Sequence, residues 1–339
     1  MSHSKDFSQN INSSILLKML EAGDSFISGN DIANCLNISR VSIWSHLEQL
    51  RREGFTFEAV RNRGYRLLTQ PSVIHPDLLA AYLKLNNIEL PLIYLNETDS
   101  TNSEVERQMT YQTQTPFVVI SSKQTKGRGR HGRSWYSEDS GNVYISFGFK
   151  PDLPPSLIKS FTPWVAAQLC HHLNREFKLS IQLKWPNDLI FKGKKISGML
   201  AESHIDADHI RDLIFGIGLN INGNPKTWPQ ELQQIGTSME AITNASFNIN
   251  KMSASVIFYI MESYDLFIKN QWQAYLPSLW SKYDFLYDKH VEGFHGTVPI
   301  KGTAKGLSDT GALKLLQENG TLLLLDIGEI SFSAPIKIS

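Results

Sequence analysis

The chain has 339 residues, of which 41% are hydrophobic and 19% are charged, and its 33 basic side chains balance its 33 acidic ones. This length predicts two or three domains, the composition excludes a disordered or fibrous protein, and the zero net charge excludes a uniformly basic nucleic-acid coat. Residues 1–10 lack an apolar signal core, and no run approaches the roughly 18 apolar residues of a membrane span, which predicts a cytoplasmic protein. Cys35 and Cys170 lack metal-type spacing, so we expect no disulfide and no metal site but two reduced, buried thiols.

Positive charge is concentrated in two segments. Residues 40–66 carry six arginines against three glutamates, a net charge of +3, and residues 123–133 carry five lysines and arginines without an acid, a net charge of +5. Two basic segments on a neutral chain predict two separate anionic ligands.

The first 52 residues have the pattern of three short helices. Apolar residues at helical spacing predict a first helix over 11–22, and the N-capping residues Ser28 and Ser39 predict where the second and third begin. The third helix is expected to bury one face and expose another. The expected buried face is Ile43, Trp44, Leu47 and Leu50, and the exposed face is Arg40, Ser42 and Ser45.

Strand-like residues 55–60 and 65–68 then flank a basic hairpin turn, and this order predicts a winged helix-turn-helix. In such a unit the third helix enters the DNA major groove and the wing reaches the neighbouring backbone. A small helical domain used for protein contacts is the alternative. Because one module binds specific DNA weakly, we expect a dimer on paired half-sites. The predicted DNA-contacting residues are Ser28, Ser39, Arg40, Ser42, Ser45, Arg61 and Arg63.

From about residue 76 to residue 275 the predicted strands and helices alternate, which indicates a mixed α/β domain. A strand over 91–96 precedes Asp99-Ser100-Thr101-Asn102 at the start of a helix. Free backbone N–H groups and short polar side chains at such a position can hold a small polar or anionic ligand. Taken alone, this motif is better explained by plain N-capping.

A glycine- and arginine-rich segment follows the next predicted strand, 117–122. Its sequence over 123–135 is KQTKGRGRHGRSW. Glycines let the backbone pass close to a ligand, and arginines supply forks for phosphate or carboxylate oxygens. The segment lacks the Gly-Lys-Ser/Thr of a phosphate loop. A mobile RNA-binding tract is the alternative, but a single compact copy between two strands favours a ligand loop.

The predicted strand 181–185 carries Lys184 near its end, beside a proline turn. A compact cation at this place suits charge that develops on a carboxylate and an α-phosphate. Further on, 189–202 predicts a hairpin, and Gly216 and Gly218 lie in an apolar strand over 215–222. These glycines leave room for a flat ring or, equally well, for ordinary close strand packing.

The C-terminal part begins with a predicted helix over 250–270 that closes the central domain. After about residue 287, short strand-like runs alternate with glycine turns, which predicts a small β-barrel. The runs are 296–300, 302–307, 312–316 and 321–326.

Five motifs together resemble the biotin protein ligase family: DSTN from Asp99, KQTKGRGRHGRSW from Lys123, KWPND from Lys184, KISGML from Lys195 and GIGLNIN from Gly216. With a winged helix in front, the chain is similar to the bifunctional subgroup of biotin operon repressors. The resemblance implies a multidomain α+β fold: a winged helix-turn-helix over 1–69, a central α/β ligase domain similar to class II synthetases over 76–280, and an SH3-like β-barrel over 285–339.

The resemblance also implies a reaction. In this family biotin is adenylated by ATP with Mg²⁺, and the adenylate is then attacked by a lysine of a carboxylase carrier domain. Lys184 and Arg128 are the implied catalytic residues, and Asp188 is a weaker candidate for positioning Lys184 or the metal. The implied substrate-binding residues are Ser100, Thr101, Asn102, Gln124, Arg128, Gly129, Arg130, Lys184, Gly216, Gly218, Asn220 and Trp228.

Two expectations concern movement and regulation. The loop 124–135 has few apolar residues, so we expect it to be mobile without ligand and to close over the adenylate, with 222–229 as a second flap beside adenine. His131 departs from the basic residue that is common at this place in the family.

An adenylate-loaded dimer is expected to bind operator DNA of biotin synthesis genes. A lipoate or other acyl-carrier ligase and a ligand-sensing transcription factor without ligase activity are the alternatives.

Overall fold

The N-terminal unit is a winged helix-turn-helix. The computed structural model describes residues 10–139, 141–206, 208–295, 297–327 and 330–332, and within these ranges no helix is both long and apolar enough to cross a membrane. The unit consists of α1 (Ile11–Ala22), α2 (Gly29–Leu36), α3 (Arg40–Arg52) and an antiparallel hairpin of β1 (Thr56–Val60) and β2 (Gly64–Thr69). Ser28 Oγ accepts the N–H groups of Asn30 and Asp31, and Ser39 Oγ accepts that of Ser42, so both predicted caps are confirmed.

Two burial predictions in this unit were wrong. Ile43 and Leu47 on α3 are fully buried, but Trp44 is 57% exposed. Successive helical residues are rotated by about 100°, so Trp44 lies to the side of the stripe that faces the core. For the same reason Cys35 points outward from α2 and is exposed, whereas Cys170 is buried as expected; both thiols are free.

The central domain is built on a seven-stranded sheet with the order β3-β4-β5-β9-β8-β7-β6. Only the β3–β4 pair is parallel among the described strands. The strands are β3 (Leu92–Thr98), β4 (Phe117–Gln124), β5 (Val143–Phe149), β6 (Gln182–Lys184), β7 (Asp188–Phe191), β8 (Lys194–Asp206) and β9 (His209–Leu219). The sequence predicted a strand at each of these places except β5. It missed residues 203–206 of β8 and residues 209–214 of β9, and it extended β9 to residue 222.

Helices cover both faces of this sheet. They are α4 (Pro76–Leu85), α5 (Thr101–Thr110), α6 (Ile158–Phe177), α7 (Gln230–Ile235), α8 (Met239–Thr243), α9 (Ile249–Ile268) and α10 (Leu276–Ser281). One face packs against α6 and α9, where Phe149 stacks on Tyr264 with ring centroids 4.0 Å apart. The opposite face carries α5, with Val105 packed beside Ile214. Helix α4 contacts both α1 and α9 and thereby joins the winged unit to the central domain.

The C-terminal unit is an antiparallel sheet with the order β13-β12-β11-β10-β14. Its strands are β10 (His290–His295), β11 (Val298–Leu307), β12 (Leu313–Leu316), β13 (Leu322–Leu325) and β14 (Ile330–Phe332). The predicted runs 296–300 and 302–307 form one strand, because Gly302 pairs with Val291 within the ladder rather than forming a turn; Gly296 lies outside the described residues. The sheet is attached to the central domain, where Trp185 Nε1 donates to Gly311 O at 3.0 Å.

Candidate functional site

The site lies on the α5 face of the central sheet. Alternate residues of a strand share a face, so Gly216 and Gly218 of β9 point to the same side as the buried Ile214, which packs toward α5. The register continues from Gly218 through Gly198 and Asp188 to Lys184 on four adjacent strands. The fold therefore brings the glycine strand and the predicted catalytic lysine, more than 30 residues apart in sequence, onto one row across the sheet.

Gly216 accommodates the amide of Asn102, a predicted substrate-binding residue at the start of α5. A Cβ on Gly216 would overlap Asn102 Oδ1 and lie 3.0 Å from Asn102 Cγ. The amide is also held by protein partners: Ser146 Oγ donates to Oδ1 at 2.5 Å, and Nδ2 donates to Glu202 Oε2 at 2.7 Å. Asn102 is 4% exposed, so its position is firmly defined.

A flat ring does lie against Gly218, and it belongs to Trp135 at the end of the arginine-rich loop. A Cβ on Gly218 would lie 2.7 Å from Trp135 Cζ2, and one on Gly198 would lie 2.9 Å from Trp135 Cζ3. Lys195 Nζ stands 5.1 Å from the centre of the indole ring, within range of a cation–π contact. The space over these glycines is therefore filled by the protein's own side chains, with the Asn102 amide over Gly216 and the Trp135 ring over Gly218.

The start of α5 and the end of β4 are joined by a short hydrogen-bond chain. The backbone N–H and the hydroxyl of Thr101 donate to Gln124 Oε1 at 2.8 and 3.0 Å, and Gln124 Nε2 donates to Ser137 Oγ at 2.9 Å. Ser100 occupies the N-cap position but makes no side-chain cap hydrogen bond. Plain N-capping therefore does not explain the DSTN motif. Asp99 instead pairs with the Arg107 guanidinium, which holds the pKa of that carboxyl well below its usual range.

Glu202 on β8 was not among the predicted site residues. One of its oxygens, Oε2, accepts hydrogen bonds from both Asn102 Nδ2 and Arg128 Nη2, the latter at 2.9 Å. The carboxylate therefore links the helix start to the arginine-rich loop. Its only signal in the sequence is its place two residues after KISGML, and no periodicity shows that it faces Arg128, 74 residues away.

The loop encloses a cleft of about 640 Å³. Residues 125–134 line one side, and Leu200 and Glu202 of β8 line the other. The loop is closed on itself by Gly129 N–H, which donates to Arg133 O at 2.7 Å, and by Trp135 N–H, which donates to Gly127 O at 2.8 Å. A cleft of this size between a basic loop and a sheet suits a small anionic ligand.

Several cations surround Asp188. Lys195 Nζ lies 2.7 Å from Asp188 Oδ1. Burial lowers the pKa of Lys184, and Asp188 opposes this shift while Lys195 and Arg133 reinforce it. Lys184 has no hydrogen bond or ion pair to another side chain in the described part of the chain. A partly buried, unpaired ammonium group among other cations favours a polyanion that brings its own negative charge.

Arg130, another predicted ligand residue, reaches the C-terminal unit. Its guanidinium donates to the backbone carbonyl of Ile327. Burial lowers its pKa, with Asp188 acting against that shift. The arginine-rich loop therefore contacts both the sheet and the C-terminal unit, and Arg130 is attracted to the charge of Asp188. The sequence did not indicate this connection.

The predicted second flap is anchored at its beginning. Asn222 Nδ2 donates to Phe247 O at 2.8 Å, and Asn220 Nδ2 donates to Thr237 O at 3.0 Å. Both side-chain amides are thus occupied by hydrogen bonds to backbone carbonyl groups. Trp228 is 6% exposed and packs against Gly236, and its indole N–H has no hydrogen-bond partner among the described residues. A ligand role for Asn220 and Trp228 stays a prediction.

The predicted DNA-contacting residues divide into two groups. Ser28 and Ser39 use their hydroxyls as helix caps. Arg40 and Ser45 are exposed on α3 and Ser42 is half-buried, while Arg61 and Arg63 are exposed at the wing tip. The Arg63 guanidinium stacks over the ring of Phe26 at 4.2 Å, which orients the wing.

Comparison with known proteins assigns each unit to a family. The Biotin/lipoate A/B protein ligase family matches residues 94–220, an HTH domain family matches 14–66, and the Biotin protein ligase C terminal domain family matches 290–333.

Relatives that match most of the chain are named bifunctional ligase/repressors. The bifunctional ligase/repressor BirA of Bacillus subtilis is 30% identical over 307 residues, which cover 88% of this chain and 92% of the relative. The protein of the same name from Escherichia coli is 26% identical over 95% of this chain and 97% of its own. Among solved structures, the biotin protein ligase from Aquifex aeolicus in complex with biotin and ATP is 29% identical, with a TM-score of 0.59 over 71% of this chain and 98% of that one. The chain therefore belongs to the bifunctional ligase/repressor family of biotin protein ligases.

Proposed function

We propose that the central domain forms biotinyl-5′-AMP from biotin and ATP and transfers the biotin to a lysine of a carboxylase carrier domain. The observation that carries this proposal is the single row of Lys184, Asp188, Gly198 and Gly218 beneath the arginine-rich loop. The half-buried, unpaired Lys184 stands at one end of this row, within reach of the positive charge of Arg133 in the loop. The loop itself lines a cleft of about 640 Å³. The solved relative that holds biotin and ATP supports the choice of substrates.

In the first step, a carboxylate oxygen of biotin attacks the α-phosphorus of ATP, and the bond to pyrophosphate breaks. The carboxylate is already ionised at neutral pH, so no general base is required. Lys184 stabilises the negative charge shared between the two reacting groups, and Arg128 and Arg130 supply further donors from the loop.

In the second step, the amine of the carrier lysine attacks the carbonyl carbon of the adenylate, and AMP leaves. The same Lys184 ammonium group stabilises the oxyanion that forms at the carbonyl. The proposed wall against which biotin is held comprises Ser100, Thr101, Asn102, Gln124 and Gly129. Gly216 lies behind the Asn102 amide in this wall, and Gly218 lies behind the Trp135 ring.

We further propose that Mg²⁺ enters with the phosphates of ATP as part of that substrate. Mg²⁺ is usually held by one or two carboxylates together with substrate phosphates. Asp188 lies next to Lys184 in the row and pairs with Lys195 at 2.7 Å. It is a carboxylate beside the proposed position of the phosphates, so it fits this role.

Transfer of labelled biotin to a purified carrier domain tests the proposal. The intact chain, ATP and biotin are expected to label the carrier lysine and release pyrophosphate. Replacing biotin by lipoate in a parallel reaction separates the two ligase activities. Biotin binding without labelling would favour a sensor that has lost catalysis.

Binding of biotin and ATP is expected to protect the arginine-rich loop from proteolysis. Apart from Trp135, the loop makes few apolar contacts, so we expect it to open readily when the cleft is empty. A trypsin digest, which cuts after arginine and lysine, should show slower cleavage at Arg128, Arg130 and Arg133 once the adenylate has formed. The exposed Arg211, outside the cleft, serves as the internal control site. Equal cleavage rates in the loop with and without ligands would contradict closure.

We also propose that the adenylate-loaded chain dimerises and represses transcription from operator DNA of biotin synthesis genes. The exposed face of α3 and the arginine-bearing wing support DNA contact. Such coupling requires the adenylate to bind the dimer more tightly than the monomer.

An electrophoretic mobility shift on a biotin synthesis promoter is expected to appear only with biotin and ATP. Arg61→Ala in the wing should weaken binding to all sequences alike, because phosphate contacts do not read bases. The exposed Lys269 offers a matched control, since Lys269→Ala removes a charge at the end of α9 opposite to the end that is bonded to residues 70–75. A shift that is independent of biotin and ATP would rule out the adenylate as the signal.

We propose the boundaries 1–69 for the DNA-binding unit, 76–280 for the ligase domain and 285–339 for the C-terminal β unit. The bridging helix α4 and the bond between Arg130 and Ile327 O connect the units.

A further inference from the structure

The outer surface of α3 carries two large apolar side chains that no other part of the described chain covers. Val41 is 77% exposed and Trp44 is 57% exposed. They are three residues apart on the helix and therefore lie side by side. The described residues of the central and C-terminal units leave this surface open, so packing against them does not explain its apolar character.

The charged residues on the same helix and on the wing indicate which kind of partner this apolar pair binds. Arg40 and Arg52 on the same helix are exposed, as are Arg61 and Arg63 at the wing. Glu48, an acidic residue in the middle of α3, is paired with Arg51. An apolar pair on a helix that exposes an arginine at each end is complementary to an anionic surface that contains an apolar group, rather than to a purely apolar protein face.

DNA presents one such group in the major groove. Among the base edges exposed there, only thymine carries a methyl group, and apolar side chains contact it. Val41 lies in the first turn of α3, the part of a recognition helix whose residues contact base edges. Ser45 and Arg40 beside it provide hydrogen-bonding groups for neighbouring bases.

We propose that Val41 and Trp44 read the 5-methyl groups of thymine in each half-site of the operator. This inference rests on the proposed operator binding and adds a basis for its sequence specificity. The pair discriminates by excluding water from the methyl group, while the arginines of the wing contribute affinity without discrimination.

The test begins with selection of binding sites by the intact chain, in the presence of biotin and ATP, from a pool of random-sequence duplexes. Each thymine of an enriched site is then replaced by deoxyuridine, which removes the methyl group and keeps base pairing. For at least one thymine in each half-site, the native chain should bind the deoxyuridine duplex about fourfold more weakly, as expected for loss of one buried methyl group.

Variants assign this discrimination to the pair. Val41→Ala and Trp44→Ala should bring the thymine-to-deoxyuridine affinity ratio toward one, and Trp44→Phe should retain part of it. Arg61→Ala should weaken binding to both duplexes by the same factor. Because both side chains are exposed, each variant should have the same melting temperature as the native chain, which a thermal melt verifies.

Equal affinity of the native chain for the two duplexes would overturn the inference, as would an unchanged ratio in both alanine variants. Weaker self-association of Trp44→Ala with an unchanged ratio would also overturn it and would assign the surface to a protein contact. If selection enriches no sequence at all, the operator-binding function itself fails, and the inference fails with it.

Discussion

Lys184→Ala is expected to lower the rate of biotin adenylation by about 100- to 1000-fold, the usual effect of removing one donor that stabilises transition-state charge. The ammonium group lies on the row that leads to Gly218, and no other side chain of the described residues pairs with it. Pyrophosphate release in single-turnover reactions measures the effect on the first step alone. Lys251→Ala, which removes an exposed lysine from α9, should leave the rate unchanged. A loss below tenfold for Lys184→Ala would contradict a catalytic role.

The lowered pKa of Lys184 also leads to a prediction of how the adenylation rate depends on pH. Burial lowers the pKa of Lys184, so its proton is lost at a pH below the ordinary lysine value. Since the protonated form stabilises the reaction, the adenylation rate should decline as the pH rises through this lowered pKa. Lys184→Arg keeps its charge at all accessible pH values and should move the alkaline decline upward, even if its overall rate is reduced. An unchanged decline in Lys184→Arg would assign it to another group.

Gly216→Ala is expected to destabilise the chain by about 1–3 kcal/mol through overpacking and to raise the KM for biotin by about tenfold or more. The new methyl group would overlap the Asn102 amide, which is 4% exposed and held by Ser146 and Glu202. Displacing the amide disturbs the start of α5, where biotin is proposed to lie. Chemical denaturation and steady-state kinetics measure the two effects separately.

The double variant Asn102→Ala/Gly216→Ala separates crowding from the loss of a binding group. Removing the amide makes room for the methyl group, so the double variant should be more stable than Gly216→Ala alone. Its biotin affinity should remain low, because Asn102 is absent. If Gly216→Ala binds biotin as the native chain does, the position of Asn102 has no part in binding.

Much of the architecture follows from local patterns. The first helix begins and ends where apolar spacing predicts, and Ser28 and Ser39 cap the next two helices. Hairpins were also predictable: the turn between β7 and β8 is formed by Lys192 and Gly193, both with positive φ. These features depend on residues that are near one another in sequence, and their physical causes act over one or two turns of chain.

The predicted site residues were recognisable for a related reason. Glycines beside arginines, and a lysine at a strand end, indicate within a few residues where the backbone can approach a ligand and where positive charge is placed. Their partners were not recognisable. Glu202 meets Arg128 across 74 residues, and Arg130 meets Ile327 across 197.

By itself, the sequence determined the order of the units, the segments that carry their chemistry and the family to which they are similar. Only the tertiary structure decided that Trp44 is exposed, that the ring beside Gly218 is Trp135, and that Glu202 holds Asn102. The reason is physical: spacing along the chain specifies which helix face or strand face a residue shares, whereas its neighbour on that face is set by the packing of elements distant in sequence.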